Sequence, residues 1–287
     1  MALTTLVDSE TLARRLGDPG WALIDCRFML EDGSWGEREY EAGHIPGAAY
    51  AHLDRDLSGP RDGTNGRHPL PSVPALTQTF GRLGIDRSIQ VIAYDQDGGM
   101  YASRLWWLLR WLEHDAVAVL DGGLAKWTAE GRPTAIGRES HRPRVFSGTP
   151  RRELAASAGD VAALSGTPGW RLVDARAPER YRGEIEPVDK VPGHIPGAVN
   201  YFFKESTDGR GLMRPAAELR QRLDEAIGGV EADHVVCYCG SGVTACHTLL
   251  ALEHAGFHGA RLYPGSWSEW SSDPTRPIAA REGKPGK

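Results

Sequence analysis

The chain has 287 residues, 40% of them hydrophobic and 25% charged, the balance of a globular protein rather than a disordered one. A formal net charge of −5 offers no positive field to a nucleic-acid backbone or an anionic membrane surface. No apolar run nears the roughly 18 residues that span a bilayer, and with only four cysteines and no secretory signal the expected compartment is a reducing cytoplasm.

Trp21–Asp25 is the first predicted strand and runs into Leu23-Ile24-Asp25-Cys26-Arg27. Gly43-His44-Ile45-Pro46-Gly47-Ala48 follows, then a strand over Ile89–Tyr94. Leu105, Leu108, Leu109 and Leu112 stand at helical spacing and predict a helix over Ala102–Leu112. Ala116–Leu120 is the next strand, and Asp121-Gly122-Gly123 with Trp127 closes the series.

The series then begins again. Leu172-Val173-Asp174-Ala175-Arg176 answers the first block, and Gly193-His194-Ile195-Pro196-Gly197-Ala198 repeats the second letter for letter. Val235-Val236-Cys237-Tyr238-Cys239 answers Val91-Ile92-Ala93-Tyr94-Asp95, and Pro264-Gly265-Ser266 with Trp270 answers the last block. Four blocks in unchanged order predict a duplicated domain, with copies over 1–135 and 152–287 and a linker over 136–151. In the second copy, strands are expected at Arg171–Asp174, His234–Tyr238 and Ala260–Tyr263, with a helix over Ala245–Ala255. Strands alternating with helices predict an α/β fold, each copy a mainly parallel sheet flanked by helices. Ligands of such sheets sit beyond the carboxyl ends of the strands.

That rule selects the loop Cys239-Gly240-Ser241-Gly242-Val243-Thr244, between a strand and a helix. Its two glycines let the backbone curl so that successive N–H groups face inward, a nest for negative charge at a helix start. Such a setting favours thiolate over thiol, so Cys239 is expected to titrate below the roughly 8.5 of a free cysteine and to act as a nucleophile. Cys237, within the strand, and Cys246, on the helix, read as core. A metal site is not expected, because no Cys-x-x-Cys pair occurs. The first copy has Asp95 in place of the cysteine, in Asp95-Gln96-Asp97-Gly98-Gly99-Met100, and has no nucleophile there. Phosphate-ester chemistry would need an arginine closing the loop six residues after the cysteine, where Ala245 stands. Sulfur transfer through a persulfide is the remaining use of a thiolate in a small neutral loop.

The two Gly-His-Ile-Pro-Gly blocks, the first copy without its cysteine and the Cys-Gly-Ser-Gly-Val-Thr-Ala-Cys loop resemble the tandem-domain rhodanese family, in its 3-mercaptopyruvate sulfurtransferase branch. The likeness covers nearly the whole chain. It implies two rhodanese-like domains and a cofactor-free, metal-free sulfurtransferase moving sulfur from 3-mercaptopyruvate or thiosulfate to a thiophilic acceptor (cyanide, or a thiol such as a thioredoxin). It also implies a proton relay of Ser241 with His68 and Asp54, and substrate contacts from Gly240, Gly242, Val243 and Thr244. Arg180 matches the first carboxylate-binding arginine of the branch, and Arg182 is a further candidate. The branch's second arginine is missing, with Val188, Asp189 or Lys190 in its place. The alternatives are a thiosulfate-preferring rhodanese, or a persulfide carrier or sensor that docks a partner protein with little small-molecule turnover. His44, His194 and the pairs Asp25–Arg27 and Asp174–Arg176 recur in both copies and read as structural. Trp267 is a candidate to overhang the loop.

Overall fold

The computed structural model describes residues 2–96 and 98–280. Its contacts divide the chain into two units: Met1–Pro60, Leu70–Arg152 and Thr207–Arg214 form one, and Arg61–Pro69, Glu153–Ser206 and Pro215–Lys287 the other. Each repeat thus lends a short segment to the unit built mainly from the other. The segment Arg61–Pro69 carries His68, which the topology thereby assigns to the unit that holds Cys239.

The first unit runs β1 (Leu6–Val7), α1 (Ser9–Ala13), β2 (Trp21–Asp25), α2 (Trp35–Ala42), β3 (Ala48–Tyr50), α3 (Leu53–Asp56), α4 (Val73–Arg82), β4 (Gln90–Tyr94), α5 (Ala102–Trp111), β5 (Val117–Leu120) and α6 (Gly123–Ala129). Its five strands are parallel, in the order β1-β5-β4-β2-β3. Central β4 is apolar without alternation (Val91, Ile92, Ala93 and Tyr94 are all buried), as a strand covered on both faces must be. Every residue of α5 except Arg110 is buried, so its three tryptophans are packing groups. Phe146, in the segment expected as a linker, is buried edge-on against Phe80 at 5.1 Å between ring centroids.

The second unit runs α7 (Ala158–Leu164), β6 (Arg171–Asp174), α8 (Pro178–Tyr181), β7 (Val199–Asn200), α9 (Ala216–Ile227), β8 (Val235–Tyr238), α10 (Thr244–His254), β9 (Arg261–Leu262) and α11 (Ser266–Trp270). The parallel order is β7-β6-β8-β9, and a parallel bridge from Ala155 to Leu262 stands where β1 stands in the first unit. Strand β8 lies inside this sheet, and its carboxyl end delivers the Cys239 loop straight into α10.

The repeated blocks do the same work in both units. Arg27 pairs with Asp25 at 2.8 Å and donates to the Gly43 carbonyl; Arg176 pairs with Asp174 at 2.7 Å and donates to the Gly193 carbonyl. His44 stacks on Tyr40 and His194 on Tyr181, each ring bonded through Nδ1 to the carbonyl oxygen of the tyrosine it covers. Gly47 and Gly197 take φ of +83° and +75°, which only glycine adopts without cost. These histidines hold turns.

Candidate active site

Cys239 follows the last residue of β8 and is buried. Its backbone is fixed from one side: its N–H donates to Ser266 Oγ at 3.1 Å, its carbonyl accepts from Trp267 N at 3.0 Å, and the Gly240 carbonyl accepts from Ser268 N at 2.9 Å. The loop then curls back, with Gly242 at φ +74°, and the Gly242 N–H donates to Cys239 Sγ at 3.2 Å. Cys246, on the first turn of α10, donates its S–H to the Gly242 carbonyl at 3.2 Å and braces the curl. Val243 caps α10 and Thr244 opens it. Cys237 differs in kind: burial pushes its thiol well up, so it stays protonated.

Ser266 holds a left-handed φ of +54° although it is not a glycine, and it is completely buried. Its hydroxyl accepts the Cys239 N–H and donates to the Tyr263 carbonyl at 2.9 Å. A non-glycine in this conformation costs about 1 kcal/mol or more and persists only where the surroundings enforce it. Here the strained residue is the one that seats the cysteine.

His68 is brought to the loop by the Arg61–Pro69 segment. Its Nδ1 and Ser241 Oγ share a 2.7 Å hydrogen bond between two buried side chains. The segment is anchored on α11: Arg67 N–H donates to Ser268 Oγ at 3.0 Å, and a Cβ on Gly66 would stand 2.8 Å from the Gly265 carbonyl oxygen. Asp54 lies in the first unit, in the first turn of α3, which His52 caps by accepting the Asp54 and Arg55 N–H groups.

Arg180, on α8, turns its guanidinium to within 3.7 Å of the point a Cβ on Gly240 would occupy. Its Nε and Nη2 donate to Glu186 at 3.3 and 2.6 Å, and Nη2 reaches Asp189 at 3.2 Å. Glu186 titrates below the ordinary range: burial opposes this, but the Arg180 hydrogen bond and the Asp189 N–H outweigh it. For Asp189 burial wins and pushes the carboxyl up, although Arg67 pulls it down. Arg182 pairs with Glu184 at 2.8 Å on a side chain more than a third exposed. Lys190 is exposed. Trp267 is a core residue beside the loop: its ring is wholly buried, its Nε1 donates to the Val191 carbonyl, and Arg176 lies over it at 4.8 Å. Sequence reasoning passed over Arg67, whose guanidinium reaches closer to Gly240 than that of Arg180; it adjoins a histidine already singled out, and that was its only signal.

The Rhodanese-like domain family matches residues 8–130 and again 157–273. The chain belongs to the rhodanese family. A Pseudomonas aeruginosa protein named as a probable 3-mercaptopyruvate sulfurtransferase is 48% identical over 281 residues, covering 97% of this chain and 99% of that one. The thiosulfate sulfurtransferase of Cricetulus griseus is 33% identical, covering 98% and 97%. Among solved structures, 3-mercaptopyruvate sulfurtransferase from Leishmania major superimposes with a TM-score of 0.81 at 28% identity, covering 93% of this chain and 74% of that one.

The two rhodanese-like copies provide an internal comparison of the loop. In the first, Asp95 is completely buried and its carboxylate accepts three backbone N–H groups: Gly99 at 2.9 Å, Tyr101 at 2.7 Å and Ala102 at 3.1 Å. The curl after the central strand is therefore a cradle for a negative group, here filled by the chain's own side chain. Asp97 lies outside the described residues.

Proposed function

We propose that this sulfurtransferase takes sulfur from 3-mercaptopyruvate, with thiosulfate the other donor of the class, onto Cys239 and passes it to a thiol acceptor. What carries the reading is the buried Cys239 sulfur, in a loop whose Gly242 N–H donates to it at 3.2 Å. Donors in that position favour the ionised nucleophile without reorganising during the reaction.

Cys239 Sγ attacks the sulfur of the donor. The donor's carbon–sulfur bond breaks, and its electron pair leaves as the pyruvate enolate, which takes up a proton to become pyruvate. The hydrogen-bonded Ser241–His68 pair lies two residues along the loop and is suited to deliver that proton. Cys239 is left as a persulfide whose outer sulfur an acceptor thiolate then removes, regenerating the cysteine; cyanide serves the same step in assays. No cofactor enters this balance. A cytoplasmic setting and a thioredoxin-like acceptor suit a nucleophile that must stay reduced between turnovers.

Donor-treated protein should gain about 32 Da on Cys239 and release thiocyanate on adding cyanide, and Cys239→Ser should do neither. Thiocyanate formation by Cys239→Ser at the wild-type rate would overturn the reading. One stoichiometric adduct without turnover on either donor would make the protein a persulfide carrier instead.

A further inference from the structure

Arg180 is the arginine that the family likeness puts at the donor's carboxylate, yet its strongest donor edge is already spent. The Nε and Nη2 groups, which together form the side-on fork of a guanidinium, both point at Glu186, leaving Nη1. Arg67 presents the opposite case. Its Nη1 pairs end-on with Asp189, whose other oxygen reaches Arg180 Nη2 at 3.2 Å. The Nε of Arg67 is buried without a hydrogen-bond partner among the described residues, and its Nη2 lies 2.7 Å from where a Cβ on Gly240 would stand. The Nη2 end of this half-unpaired fork therefore lies against the residue next to the nucleophile. Nothing else in the cluster asks for it: Arg67, Arg176 and Arg180 are balanced by Asp174, Glu186 and Asp189. A buried donor without an acceptor is rare in folded proteins and costly to keep.

We infer that Arg67 supplies the bidentate half of a two-arginine clamp for the carboxylate of a 2-oxo acid donor, with Arg180 Nη1 as the second contact and Asp189 holding the two guanidiniums in register. This rests on the sulfur-transfer reading and adds to it a specificity residue from the segment Arg61–Pro69, in place of the arginine missing between Val188 and Lys190. Gly240 is required next to it because any side chain there would meet the fork.

The test is steady-state turnover of 3-mercaptopyruvate with cyanide by wild type, Arg67→Ala and Arg67→Lys, with circular dichroism and thermal melts to establish folding. Loss of a bidentate, charge-assisted contact should raise KM for 3-mercaptopyruvate roughly ten- to hundredfold in Arg67→Ala, with kcat held within about threefold. Arg67→Lys keeps the charge without the fork and should fall between, and it carries the same prediction if Arg67→Ala does not fold. Inhibition by pyruvate should weaken in parallel with KM. A KM within about twofold of wild type in the folded variant, with the Cys239 persulfide still forming, overturns the clamp alone; no persulfide in the wild type overturns the sulfur-transfer reading beneath it.

Discussion

Gly242 and Gly240 stand two residues apart in one loop, and alanine at each should fail in a different way. At Gly242 the backbone is left-handed, and a Cβ would stand 2.4 Å from the Pro264 carbonyl oxygen and 3.1 Å from its carbon. The conformation alone costs an alanine roughly 1–2 kcal/mol. The overlap, about 1 Å inside ordinary contact and against backbone that cannot swing aside, adds about 1–3 kcal/mol. Together these predict a loss of about 2–5 kcal/mol, or roughly 5–15 °C in Tm for a domain of this size. Relief of the clash must move the Gly242 N–H that donates to Cys239 Sγ, so kcat should fall roughly ten- to hundredfold. Gly240→Ala meets only the end of the Arg67 side chain at 2.7 Å, which can shift. Its melt should stay within about 0.5 kcal/mol of wild type while KM for the donor rises. Thermal unfolding, and thiocyanate formation across a range of donor concentrations up to saturation, measure both halves. Wild-type melting and kcat in Gly242→Ala would refute the loop geometry and the role given to its amide.

Two further expectations follow from the first unit. Asp95→Ala strips a completely buried carboxylate from three backbone N–H groups and should destabilise that unit by about 3–5 kcal/mol in denaturant unfolding; a loss below about 1 kcal/mol would mean that the cradle does not need its anion. His52 accepts the Asp54 and Arg55 N–H groups through Nδ1, and burial, helped by Arg55, lowers its affinity for a proton. A histidine whose folded pKa is depressed binds protons more readily when unfolded, so stability is full above the unfolded value of roughly 6.5 and declines as pH falls below it. His52→Asn keeps a capping acceptor that does not titrate and should flatten the fall in Tm between pH 7.5 and pH 5 (both roughly bracketing the histidine range); parallel curves for the two proteins would show that His52 is not the group responsible.

The strongly apolar central strands were legible from sequence because burial on both faces leaves them almost wholly apolar. Gln90–Tyr94, Val235–Tyr238 and α5 match the predicted spans to within one residue at either end. Short edge elements were not. Leu6–Val7 and Val199–Asn200 have two residues each, too few to show a period, and α7 announces itself only through the Ser157–Asp160 capping box. At the site, the Cys239 loop could be read because its glycines and cysteine are adjacent in sequence and its chemistry is local. Arg67 and Ser266 could not. Their roles arise where the Arg61–Pro69 segment and the start of α11 are folded onto the loop, a long-range juxtaposition that no local spacing encodes.

The two copies separate what the fold provides from what the chemistry needs. Both have, after the central strand, a loop that turns backbone N–H groups on a negative or polarisable group, three of them on Asp95 in one and that of Gly242 on Cys239 in the other. The cradle is therefore a property of the architecture and does not by itself make a catalyst. What the second copy adds lies outside the curl: a hydroxyl at position 266, where the first copy has Gly123 at the same φ of +54°, and a histidine bonded to Ser241. Gly123 reaches that conformation without strain, whereas Ser266 bears the cost and gains an acceptor for the cysteine's own N–H. A cysteine placed at position 95 would enter a loop whose backbone lacks that anchor, and the amides that now bind two carboxylate oxygens would close on a single sulfur. Exchange of one residue is thus too little to move the reaction from one copy to the other, and the retention of strain at Ser266 marks the second copy as the one shaped around its nucleophile.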